Sequence, residues 1–312
     1  MPICVIGGTG FIGPRVIRRL VARGEDVVCM DINPGTASFA DLGQHVRVVR
    51  GDVTQFEDVM RTMVEAKPSR VINLSYNLGS DLAPHLAVKL NVLGMDNCFE
   101  AARLCGVQRV VYASSVAVSG QQRHYGERLV NEDDPRHGDN QYAIHKMFNE
   151  WQAQDYIAKY GMSITGVRPA NVTGPDKVRG SVDHVQCITQ PARGQTVTFP
   201  YKDFMRLPIH VEDIAEVFVR VLLADAPRYP IYNSGGTVIS LGELAEMVRA
   251  FLPEARITFE HETGGKERSG NYLVDNSRLR QEFEVEYPPF RQRVLEIIND
   301  IRRAEGLPLV QG

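Results

Sequence analysis

The sequence predicts an α/β protein built on a doubly wound parallel sheet, followed by a smaller mixed α/β lobe. Three observations predict it. Short, nearly all-apolar β-branched runs recur from Ile3 to Arg168, helical patterns alternate strictly with them, and the rhythm breaks after Pro169. Strands that are apolar along most of their length are covered on both faces, as in a parallel sheet closed by right-handed crossovers.

The strands read at Ile3 to Gly7, Asp26 to Asp31, Val46 to Arg50, Arg70 to Ser75, Arg109 to Ser114 and Ser163 to Arg168. Helical patterns lie between them at Arg15 to Arg23, Phe56 to Ala66, Leu86 to Cys105 and Tyr142 to Tyr160, and later at Val211 to Ala224, Leu241 to Phe251 and Phe290 to Glu305. Gly, Pro and charged residues spread through Gly174 to Pro208 and Thr263 to Gly270 signal the second lobe. The expected division is 1–170 for the first domain, with a returning segment near 205–235, and 171–312 for a substrate-binding lobe. A chain of 312 residues can fill one large core and part of another.

Composition excludes several classes of function. Hydrophobic residues at 43% and charged residues at 23% are ordinary for a globular chain. A net charge of -3 with scattered Lys and Arg gives no footprint for nucleic acid. No apolar run approaches the roughly 18 to 20 residues that span a bilayer. A first strand at Ile3 leaves no room for a signal peptide, so a cytoplasmic protein is expected. Five cysteines (Cys4, Cys29, Cys98, Cys105, Cys187) lack metal spacing and read as buried reduced thiols. His124, His137, His145 and His184 read mostly as solvated loop histidines, and no metal is expected.

Gly7, Gly8, Gly10 and Gly13 follow the first strand and open an amphipathic helix. Small residues there permit a tight turn whose backbone N–H groups approach a pyrophosphate, which makes the sheet a Rossmann-type dinucleotide-binding one. Asp31, ending the second strand, is placed to accept from adenosine ribose hydroxyls and to repel a 2′-phosphate, so NAD is favoured over NADP. The alternative is a turn-capping Asp beside Asn33 and Pro34. Asp52 and Val53, after the third strand, could hold the adenine edge or simply make a turn.

Tyr142 and Lys146 stand at i and i+4, one turn apart on one helix face. An ammonium and a positive nicotinamide would both favour the phenolate, drawing a group of pKa about 10 toward neutrality. Ser115 lies at the C-terminal end of the fifth strand, where ligands bind in such sheets, and could align a substrate oxygen or serve as a plain N-cap.

Together these residues resemble the extended short-chain dehydrogenase/reductase superfamily, in its NAD-dependent epimerase/dehydratase branch. The resemblance runs through Gly7 to Gly13, Asp31, Asp52-Val53, Val71 to Ser75, Asn91 to Gly94, Tyr112 to Ser115, Tyr142 to Lys146, Arg168-Pro169 with Asn171, Ile209 to Asp213 and Tyr232 to Gly236. It implies a catalytic set of Ser115, Tyr142 and Lys146. It implies cofactor contacts from Gly7, Gly10, Phe11, Ile12, Gly13, Asp31, Asp52, Val53, Leu74, Ser75, Asn91, Tyr142, Lys146 and Pro169. Asn171, Arg206 and Arg268 would join Ser115 at the substrate, the arginines resembling those that grip the diphosphate of a nucleotide sugar; the alternative is two surface arginines. The resemblance also implies a homodimer paired through Leu86 to Cys105 and Tyr142 to Tyr160, the alternative being that both helices are buried within one chain.

Some residues depart from the family pattern. Val116-Ala117 follows Ser115 where dehydratases carry an acidic pair, which disfavours water elimination. Ser119-Gly120, Asn271 and the stretch Ser181 to Gln190 also differ, and Arg206-Leu207-Pro208 resembles short-chain threonine dehydrogenases. The leading expectation is an NAD-dependent epimerase of a nucleotide-linked sugar. The alternatives are an NAD(P)-dependent dehydrogenase or reductase of a small hydroxy or carbonyl compound, and a non-catalytic NAD sensor.

Overall fold

The computed structural model describes residues 1–77 and 82–311; Gly312, the last residue of the expected second lobe, lies outside them. The strands between Ile3 and Arg168 form where the β-branched runs place them: β1 (Ile3–Ile6), β2 (Val27–Asp31), β3 (Val46–Arg50), β4 (Arg70–Asn73), β5 (Arg109–Ala113) and β6 (Ile164–Arg168). The remaining strands are β7 (Asn171–Thr173), β8 (Val197–Tyr201), β9 (Met205–Arg206), β10 (Pro208–His210), β11 (Ile231–Asn233), β12 (Ile239–Ser240) and β13 (Ile257–His261). The central sheet has seven parallel strands in the order β11-β6-β5-β4-β1-β2-β3. Strand order reverses beside β1, whose Ile3 lies level with Val27 on one side and Arg70 on the other. A crevice opens at such a reversal, outside the carboxyl ends of the strands.

Helices cover both faces. They are α1 (Gly13–Val21), α2 (Phe56–Ala66), α3 (Pro84–Val88), α4 (Gly94–Leu104), α5 (Gln141–Tyr160), α6 (Asp183–Ala192), α7 (Val211–Leu223), α8 (Leu241–Arg249), α9 (Ser277–Phe283) and α10 (Phe290–Ala304). One apolar core lies under α1 and α7, and a second under α2, α4 and α5, which is why β1 and β2 are buried almost end to end. A third core joins α6, α8 and α10 with β8 and β13. The segment after the sheet's sixth strand thus lends α7 and β11 back to the first layer.

The single helix expected from Leu86 to Cys105 is three pieces, because a π turn at Lys89–Leu93 separates α3 from α4. The π turn carries Asn91, whose side chain is used for a loop contact described below. The stretch Gly174 to Pro208, in which no helix is read from the sequence, contains α6; Pro191 in its last turn hides the helical period. Two histidines differ from expectation. His184 is fully buried in α6 and His145 is buried in α5, each held by helix packing rather than solvated in a loop. The cysteines are reduced, four of them buried, and among the described residues no group of His, Cys, Asp and Glu could hold a metal ion. No helix among the described residues is long and apolar enough to cross a membrane.

Candidate active site

Backbone crowding dictates the glycine turn. Gly7 has φ +74, and a Cβ there would meet the backbone N of Ser75 at 2.6 Å. A Cβ on Gly13 would sit 2.5 Å from the Gly8 carbonyl oxygen, so the chain can turn this tightly only without side chains. Helix α1 begins at Gly13 with no capping side chain and no acid in its first turn. The positive end of its dipole is therefore not offset by an acid at the glycine turn, an arrangement suited to an anion, although Pro14 has no N–H and the Arg15 N–H already donates to the Ile12 carbonyl at 3.1 Å.

Asp31 ties this turn to the next strand. Its carboxylate accepts from the Thr9 backbone N–H at 3.1 Å and the Asn33 N–H at 3.0 Å, and Thr9 Oγ1 donates to the Asn33 carbonyl at 3.1 Å. These bonds are those of the turn-capping reading of Asp31. The carboxylate caps the loop and keeps lone pairs for further donors. Asp52 makes its own turn, accepting from Thr54 N–H at 2.8 Å, while Val53 is buried against Gly94 and its carbonyl accepts from Asn97 at 2.7 Å. Phe11 packs against the place where Gly174 passes, and Ile12 packs on the first core. Leu74 also joins that core, and Ser75 donates to Asn73 Oδ1 from its N–H and its hydroxyl. Asn91 lies behind them, its carboxamide accepting from Asn77 N–H at 2.9 Å and donating to the Asn77 carbonyl at 3.2 Å.

Helix α5 starts where Asn140 accepts from Ala143 N–H at 3.0 Å, which fixes Tyr142 and Lys146 in its first turns. Lys146 is 1% exposed and donates to the Ala113 carbonyl, at the end of β5, at 2.5 Å. Ser115 accepts from Ala117 N–H at 3.1 Å, capping a short turn, and its hydroxyl also acts on Tyr142. Val116 N–H donates to the Pro169 carbonyl at 3.1 Å, which joins the ends of β5 and β6. Serine, tyrosine and lysine thus converge beside the strand ends, as the spacing predicts.

The electrostatics differ from expectation. Burial pushes the Tyr142 phenol above its usual range, opposed by the Ser115 hydroxyl. Lys146 is itself driven well below the ordinary lysine range by burial, with Glu150 pulling the other way. Desolvation therefore outweighs the expected attraction between phenolate and ammonium.

Glu150, one turn beyond Lys146, anchors the helix. It receives Arg168 through Nε and Nη2 at 2.7 Å each, Arg136 Nε at 2.8 Å and the Ser114 hydroxyl at 2.5 Å. Burial alone would raise this carboxyl, but chiefly Arg168 holds it below the usual range. These bonds lock α5 to the ends of β5 and β6.

The residues expected at the substrate are only partly free. The Asn171 carboxamide oxygen accepts from Leu207 N–H at 2.9 Å, tying the Arg206 segment to β7. Arg206 is paired bidentately with Asp183, which opens α6, through Nε at 2.9 Å and Nη2. It also stacks over Phe204, with 4.3 Å from Cζ to the ring centroid. Although burial alone would raise it, His184 and Arg206 together hold Asp183 far below the carboxylate range. Arg268 is exposed and lies 5.2 Å over the Tyr201 ring. A bond from Met205 N–H to Ser269 Oγ, at 2.8 Å, brings the two arginine segments side by side. Three residues that contact the candidate site residues lie outside the sequence motifs: Glu150, Asp183 and Tyr76, whose ring meets Tyr142 edge-on at 5.4 Å. An aromatic directly after Leu74-Ser75 at a strand end was the available signal for the last.

A glycine turn at the switch point, an acid at the end of β2 and a Ser/Tyr/Lys convergence define a dinucleotide-binding enzyme fold. The chain belongs to the NAD dependent epimerase/dehydratase family, whose model matches residues 3–235. It is 26% identical to cinnamoyl-CoA reductase 1 of Oryza sativa subsp. japonica over 99% of this chain and 92% of that one. It is 27% identical to UDP-glucose 4-epimerase of Lacticaseibacillus casei, covering 71% and 72%. The structure of Thermus thermophilus UDP-glucose 4-epimerase in complex with NAD superposes with a TM-score of 0.83 at 26% identity, over 97% of this chain and 100% of that one. This is a family of enzymes with NAD as cofactor, and its members here include both epimerases and reductases. The turn that only glycine fits, the unopposed α1 N-terminus and the Asp31 carboxylate suit that cofactor.

Proposed function

We propose that the protein is an NAD-dependent dehydrogenase or reductase that interconverts a secondary hydroxyl and a carbonyl on a small substrate. The convergence of Ser115, Tyr142 and Lys146 supports the chemistry. Ser115 aligns the substrate oxygen, Tyr142 takes its proton during oxidation and returns it during reduction, and Lys146 favours the phenolate when its ammonium is charged. NAD, when bound, accepts or returns the hydride.

The Asp183–Arg206 pair supports a small substrate. An arginine already neutralised by a carboxylate has little charge left for a diphosphate, and Asp183 would itself repel one. The second reading, an epimerase of a nucleotide-linked sugar, draws on the likeness to UDP-glucose 4-epimerases and on Arg206 and Arg268. Incubation with NAD and a panel of alcohols and nucleotide sugars separates the two. Net accumulation of NADH supports the dehydrogenase, whereas a new stereoisomer without net NADH supports the epimerase. In calorimetry, UDP should bind the parent weakly and Asp183→Asn more tightly. Tight binding to the parent contradicts the role given to Asp183.

A second copy of the chain is proposed to cover one face of α5. Ile144, Phe148 and Trp151 recur at helical spacing there and are 48%, 48% and 61% exposed, with Leu93 on the neighbouring π turn 43% exposed. A stripe of this kind fits a four-helix dimer seam. Light scattering should give a dimeric mass, and Trp151→Glu should give a monomer. A monomeric parent would refute the pairing.

A further inference from the structure

Tyr76 belongs to none of the motifs above, yet it touches two residues of the candidate site. Its backbone is held from both sides. Ser75 is bonded to Asn73 at 2.9 and 2.6 Å, and Asn77 is clasped by the Asn91 carboxamide at 2.9 and 3.2 Å. The ring so positioned lies under the Lys146 ammonium, with Nζ 3.3 Å from its centroid, and stands at 87° to the Tyr142 ring.

In its charged form the Lys146 ammonium has three N–H donors. The Ala113 carbonyl accepts one at 2.5 Å, and the aromatic face engages a second. One remains. The Tyr76 hydroxyl is buried and has no hydrogen-bond partner among the described residues. Burial, and secondarily Tyr142, push this phenol far above its usual range, so it stays protonated and can donate. A buried donor left without an acceptor destabilises the fold, and such groups collect where a ligand completes them. A tyrosine serving only to fill the core would place its hydroxyl in solvent or on a protein acceptor.

We propose that Tyr76 is a further active-site residue: its ring face positions the Lys146 ammonium so that one N–H is left for the bound ligand, and its hydroxyl donates to an acceptor oxygen of that ligand. The acceptor lies on the nicotinamide half of the cofactor or on the substrate, and the experiment distinguishes these. The inference rests on the reading of Ser115, Tyr142 and Lys146 given above.

The test titrates the full chain and its Tyr76→Leu and Tyr76→Phe variants with NAD and NADH by calorimetry, and measures KM on an alcohol that the parent oxidises. Loss of the desolvated cation–π contact in Tyr76→Leu should weaken NAD about tenfold. Tyr76→Phe keeps the ring and should bind NAD more tightly than Tyr76→Leu. Without the hydroxyl, Tyr76→Phe should lose about five- to tenfold in NAD affinity if the acceptor is on the cofactor, or in KM alone if it is on the substrate. Equal NAD affinity of parent and Tyr76→Leu overturns the ring's role, and a Tyr76→Phe equal to parent in both quantities overturns the hydroxyl's. Tyr142→Phe is run alongside. If it still turns over, the parent reading fails, whereas the NAD titrations judge Tyr76 without any turnover.

Discussion

Replacing Glu150 by Gln should destabilise the protein, because it breaks a buried ion pair from one side. The carboxylate is 2% exposed and its partner Arg168 1% exposed, with two bonds of 2.7 Å between them. Glutamine keeps the shape but removes the charge and one acceptor, so Arg168 is left buried and uncompensated. Breaking a buried pair from one side costs about 3–5 kcal/mol. Gln can still accept one hydrogen bond, and Arg136 is partly solvated, so the lower figure of about 3 kcal/mol applies. At about 2.1 cal/mol/K of unfolding entropy per residue, a 312-residue chain shifts by about 1.5 °C per kcal/mol, so Tm should fall by roughly 5 °C. Urea unfolding of parent and variant measures the difference directly. A double variant, Glu150→Leu with Arg168→Met, should recover much of the loss, since an apolar replacement removes both charges. A Glu150→Gln variant within about 1 kcal/mol of the parent would refute the claim that this buried pair fixes α5 against the sheet.

Other outcomes follow from the same geometry. Gly13→Ala should lose about 1–3 kcal/mol of stability, because its Cβ would meet the Gly8 carbonyl oxygen at 2.5 Å, and its NAD affinity should fall with the distorted turn; titration calorimetry checks the second effect. Acid should destabilise the fold through His184 and His210, whose pKa values burial lowers from 6.5 to about 4. Both are neutral when folded, whereas the unfolded chain takes up their protons below pH about 6.5, so the stability they contribute is present above that pH and lost as pH falls toward 4. The loss should reach about 3 kcal/mol for each histidine, and His184→Gln should flatten the slope of urea midpoint against pH in that window.

The sheet was legible because its strands are short, β-branched local runs such as Val27-Val28-Cys29-Met30, too short for helices and alternating with longer helical patterns. The glycine turn and the Tyr142/Lys146 pair were legible for the same reason, as short-range spacing carries their chemistry. Long-range partners were not. Asp183 meets Arg206 across 23 positions and Glu150 meets Arg168 across 18, and nothing in sequence spacing selects one carboxylate over another. Charge balance also eluded the spacing argument: the closeness of Lys146 suggested an acidic phenol, yet burial of both groups dominates in the folded chain. Helix α6 was hidden by Pro191 and by polar residues at Asp183, Gln186 and Gln190.

The most direct measurement compares NAD reduction by the parent and by Tyr142→Phe, with NADH affinity measured on the same samples. The account predicts a fall in turnover of about a hundredfold or more, with NADH affinity nearly unchanged. A variant that binds NADH normally and keeps most of its turnover would contradict it.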